Sequence, residues 1–154
     1  MPATRTGADT VTALLATADD LLTEGLDGDG PLTPAGRDRG AAYALRIALE
    51  AAVEAALTAE EAGLGGLRSM RAKLLCLHHY AGPGRARRAH ALWNRLSAAC
   101  KYHHDELGPP HAQVHAWRAA VGVLVTELSA CGTAVEFPQQ RGSENPLPAE
   151  ASPR

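Results

Sequence analysis

The chain has 154 residues, enough for one domain with its own core and no need of a stapling metal or disulfide. Its formal charge of −2 at pH 7 gives no bulk electrostatic attraction to nucleic acid or to an anionic membrane. Thirteen arginines against two lysines, and thirty-one alanines, read as the bias of a GC-rich bacterial genome rather than as a demand of function. The start, from Met1 to Thr10, has no apolar segment of the secretory kind, and no run is long enough for a membrane span, so no membrane association is expected. Cys76, Cys100 and Cys131 are an odd set without CxxC spacing and read as reduced packing thiols of a cytoplasmic protein.

Five segments carry helical periodicity and none alternates as a strand does, which predicts an all-α fold, a single antiparallel helical bundle. After a flexible stretch over 1–8, the first helix is expected from about Asp9 to Glu24, with Val11, Leu14, Leu15, Ala18, Leu21 and Leu22 on one face. It stops at the glycines and proline between Gly25 and Pro31. The second starts with Thr33 as N-cap and Pro34 in the first helical position and runs to about Glu61. Leu45, Leu49, Val53 and Leu57 form its apolar band. Alanines 44, 48, 51 and 55 lie across from it, marking a central helix or a dimer surface. The third is expected over about Leu67–Ala81, the fourth over Arg85–His103 and the fifth over Pro110–Cys131, with short connections that imply antiparallel neighbours. The bundle domain thus covers 9–131. The segment 132–154, with four prolines and few apolar groups, reads as a disordered tail.

Seven histidines lie in the second half. His103 and His104 end the fourth helix, and His111 and His115 open the fifth at an i, i+4 spacing that two ligands of one zinc ion can use. On the helical wheel His103 points toward the core, whereas His111 and His115 lie beside Arg118 toward solvent, so the four are weak metal candidates. The Asp27-Gly-Asp-Gly30 turn resembles part of a calcium loop, but Gly25 and Gly36 stand where the first and the bidentate ligands belong. Calcium is not expected, nor is any other cofactor. Arg71 and His78 share a wheel face with Leu67, Leu74 and Leu77, and Arg46 falls between Val53 and Leu57. Charges there call for partners, such as an Arg46–Glu50 or Arg71–Glu54 ion pair, or else they line a polar pocket between the second and third helices. Folding the chain about Pro83 would set His78 near Arg88 and Arg71 near Arg95. Arg85, Arg87, Arg88 and Arg95 form a basic strip that can contact RNA or an acidic partner. No GxSxG, P-loop or GxGxxG is present, and no nucleophile has an evident base.

The segment from Trp93 through Leu-Ser-Ala-Ala-Cys100 and His103-His104 to Glu106-Leu107, with Ser69-Met-Arg-Ala-Lys-Leu-Leu-Cys-Leu77 upstream, resembles uncharacterised small helical proteins of GC-rich, actinobacterial-type bacteria. That group is distantly similar to HEPN domains, helical bundles of defence and toxin systems whose active members are dimeric RNases. Their motif is an arginine followed, after about four to six residues, by a histidine. Arg71–His78 and Arg85–His90 match that spacing, both with alanine after the arginine, and Arg95–His103 has seven residues between. The resemblance implies Arg71, His78, Arg95, His103 and His104 as catalytic candidates. The residues themselves show no complete catalytic set. The expected function is therefore a non-catalytic interaction or accessory module, associating with itself as a homodimer or with another protein. A HEPN-like RNase and a zinc-binding helical protein are the alternatives.

Overall fold

A computed structural model describes residues 6–23, 31–101 and 108–131. Among them are five α-helices and one 3-10 turn, and no strand. Among the described residues no helix is long and apolar enough to cross a membrane.

The first helix, α1 (Gly7–Thr23), begins two residues before the expected Asp9. Thr6 and Asp9 cap it reciprocally: the Asp9 amide donates to Thr6 Oγ1 at 3.3 Å, and the Thr6 amide donates to Asp9 Oδ2 at 3.2 Å. Residues 7 and 8, expected in a flexible lead, are thereby drawn into helix. α2 (Pro34–Glu60) starts as its sequence predicts, with Thr33 extended and its hydroxyl accepting from the Gly36 amide at 3.1 Å. It packs against every other element and is the axis of the fold.

The next connection departs from expectation. Residues Ala62–Gly66 form a 3-10 turn lying against the end of α2, so close that a Cβ on Gly65 would sit 2.5 Å from Thr58 Oγ1. α3 (Met70–Tyr80) consequently starts three residues later than predicted. Gly82, at φ +90°, breaks the chain between α3 and α4 (Pro83–Ala99), where Pro83 takes the first helical turn. α4 begins two residues before the expected Arg85 and ends at Ala99. α5 (His111–Cys131) follows its predicted span within one residue.

Side-chain pairs set the register. Arg88 in the first half of α4 meets Glu127 near the end of α5, and Asp38 in the second turn of α2 meets His111 in the first turn of α5. Leu45, Leu49, Val53 and Leu57 of α2 are fully enclosed with Leu77, Leu96, Val114, Val121, Leu124 and Leu128. Each such side chain gains about 1.5–3 kcal/mol on leaving water.

The small-residue side of α2 is covered from within the chain. Gly40 would place a Cβ 3.2 Å from Leu21, and Gly7 would place one 3.3 Å from Ala55, so α1 lies along the stripe. Ala44 and Ala48 between those contacts are buried. The side expected as either the mark of a central helix or a dimer surface is the seat of α1.

Candidate functional site

The α3–α4 hairpin carries an open groove of about 740 Å³ between the two helices. Its position follows from how little of α3 is buried. Only Leu74 and Leu77 of α3 are enclosed. Leu67, which helped to define the apolar stripe on the wheel, lies in the extended connection ahead of the helix. The stripe is therefore narrower than expected, and Arg71 and His78 flank it in solvent. They occupy no buried position, contrary to the sequence-based reading.

The groove floor is apolar, with Met70, Leu74, Leu75 and Ala86, and Leu75 is 68% exposed. Arg71 and His78 from α3 face Arg87 and His90 from α4 along its sides, and no aspartate or glutamate lines it. Trp93 closes one end. Its indole N–H donates to Glu50 Oε1 on α2 at 2.7 Å, and Arg46 Nε donates to the same oxygen at 3.2 Å. The Arg46 guanidinium also lies 6.0 Å from the Trp93 ring centroid. A half-buried network on α2 thus holds the tryptophan from behind. The same arginine opposes, without cancelling, the effect of burial on Cys100, whose thiol is pushed up from its ordinary value by desolvation.

The Arg46–Glu50 pair expected from the sequence forms. The alternative with Glu54 is taken by Lys73, whose Nζ reaches Glu54 Oε2 at 2.6 Å. Lys73 faces α2, and this turns Arg71 outward. The pairings expected across Pro83 are also revised. Arg88 binds Glu127 of α5 through both carboxylate oxygens. That hydrogen bond holds the Glu127 carboxyl below its ordinary value and the Arg88 guanidinium above its own. Arg85 donates to the Ala81 carbonyl at 3.0 Å and also approaches Glu127.

The predicted basic strip is therefore divided three ways. Arg85 and Arg88 face α5, Arg87 faces the groove, and Arg95 lines a separate depression of about 420 Å³ with Arg39 and Lys101. Of the catalytic candidates, Arg71 and His78 come together, Arg95 lies apart, and His103 and His104 fall outside the described residues. The Asp27–Gly30 turn and the segment 132–154 fall outside them as well.

His111 and His115 are exposed on α5, as their wheel positions predict. The sequence did not reveal their partner. Asp38, only 6% exposed, places Oδ1 2.6 Å from His111 Nδ1, and the Nε2 atoms of the two histidines lie 3.1 Å apart. Among the described residues Asp38 and the neighbouring Arg37 are the two buried charged ones, near the start of a helix and ahead of the apolar band that would orient them on a wheel. Among the described residues no group of three or more His, Cys, Asp or Glu side chains is arranged to hold a metal ion. Cys76, Cys100 and Cys131 are free thiols. Comparisons with protein families, with curated proteins and with solved structures give no match for this chain.

Proposed function

We propose that this protein is a helical interaction module whose α3–α4 groove receives an acidic, amphipathic segment of a partner protein. The observation that carries the reading is an apolar floor under Arg71, His78, Arg87 and His90, with no lining carboxylate. An amphipathic helix fits such a surface: its apolar face covers Leu74 and Leu75, and its carboxylates meet the two guanidinium groups in charge-assisted bonds. Leu75 and the open side of Trp93 are the apolar area that such a contact would remove from water.

A second copy of this chain fits the groove less well. A two-fold contact there would set Arg71 and Arg87 against themselves, and the alanine side of α2 is already occupied by α1. Of the residues an RNase would call on, Arg71 and His78 line this groove, Arg95 lines another depression, and His103 and His104 lie outside the described residues.

The test is a titration of a labelled acidic amphipathic peptide, in parallel with labelled structured RNA, against the full chain and its Arg71→Glu/Arg87→Glu variant. Peptide binding is expected to weaken at least tenfold in the variant and to fall with salt in the wild type. Equal peptide affinity in both proteins would overturn the proposal. So would RNA cleavage that disappears in His78→Ala. Light scattering at micromolar concentration is expected to show a monomer, and a stable dimer would favour the homodimer expected from the sequence.

A further inference from the structure

We propose that His111 and His115 form a two-nitrogen clamp for a divalent late first-row transition-metal ion, with Asp38 as the carboxylate that orients His111. The inference stands independently of the groove. Two imidazole nitrogens each about 2.0–2.1 Å from one metal lie about 2.9 Å apart at a right angle and about 3.3 Å apart at a tetrahedral one. The Nε2 atoms of His111 and His115 are 3.1 Å apart, inside that interval. Their rings are already turned edge to face, at 80°.

Histidines that bind metal characteristically donate their other ring N–H to a carboxylate or carbonyl, which selects the tautomer and raises the basicity of the metal-facing nitrogen. Asp38 does this for His111 at 2.6 Å, and it does so from a buried position. An exposed i, i+4 histidine pair needs no buried carboxylate to be stable. Its presence points to a ring held in place with Nε2 outward.

Arg118, one turn from His115, is drawn away from the site by two hydrogen bonds to Asp19 at 2.7 Å, so its charge is balanced. On binding, the hydrogen between the two Nε2 atoms is given up to solvent and His115 takes one up at Nδ1, so that both ligands are neutral imidazoles, and water completes the coordination on the exposed side. Imidazole nitrogens favour nickel and zinc over magnesium or calcium. The sequence reading placed a possible zinc at a corner that included His103 and His104. The clamp requires neither.

The experiment is calorimetric titration of the untagged full chain with Ni2+, with Zn2+ and with Mg2+ as the hard-ion control. One Ni2+ or Zn2+ per chain and no Mg2+ binding are expected. His115→Gln, an exposed substitution, should abolish binding with the helical circular dichroism unchanged. Asp38→Asn should weaken it about 10–100-fold. The melting temperature of the wild type should rise with added Ni2+, and that of His115→Gln should not. A His103→Ala/His104→Ala variant should bind like the wild type. Absence of Ni2+ binding, equal binding by His115→Gln, or loss confined to the His103/His104 variant would each overturn the clamp.

Discussion

Glu50 is the residue through which α2 controls the groove, and its replacement tests that link quantitatively. One oxygen accepts from the Trp93 indole at 2.7 Å and from Arg46 at 3.2 Å, with Arg46 and Glu50 side chains 31% and 30% exposed. A hydrogen bond to an ionised acceptor contributes about 1.5–3 kcal/mol when shielded from water, and the partial exposure reduces this to about 1–2 kcal/mol. The i, i+4 ion pair adds only about 0.3–0.5 kcal/mol. Glu50→Leu, which removes both, should therefore cost about 1.3–2.5 kcal/mol. Glu50→Gln keeps an acceptor for the indole and should cost about 0.5 kcal/mol. Urea unfolding followed by circular dichroism measures both, and a cycle with Trp93→Phe isolates the pair. A coupling of about 1 kcal/mol is expected for Glu50→Leu with Trp93→Phe. Additivity within about 0.3 kcal/mol, or an equal loss for Gln and Leu, would refute the claim that this bond holds the tryptophan.

Two further outcomes follow from the packing. Gly65→Ala should destabilise by about 1–3 kcal/mol because its Cβ meets the Thr58 hydroxyl, and most of that loss should be recovered in a Thr58→Ala background, read by thermal melting. Glu127→Gln should change the acid limb of stability. The folded protein holds Glu127 below its ordinary 4.5, so its contribution is complete above that value and fades as pH falls through the depressed one. The variant's melting temperature should accordingly vary less with pH on the acid side than the wild type's, and an unchanged acid limb would show that the Arg88 contact does not persist in solution.

The helical class, the number of helices and most of their ends were legible in the chain because they depend on near neighbours. The Thr33-Pro34 start, the break at Gly82-Pro83 and the i, i+3, i+4 recurrence on α2 and α5 are local signals, and the folded chain follows them. The Arg46–Glu50 pair was legible for the same reason, since one helical turn brings the two together. What the chain could not reveal depends on residues far apart. A wheel drawn through Leu67 puts Arg71 and His78 in the core; the turn against Thr58 removes Leu67 from the helix and leaves them at the rim of a groove. The alanine side of α2 is a close-packing surface in the sequence, and only the position of α1 decides that it is filled from within the same chain. Asp38 and His111 are separated by more than seventy residues, and no periodicity relates them. Periodicity specifies which face of a helix is apolar. What covers that face, and which polar groups meet at its edges, is decided by how the helices pack.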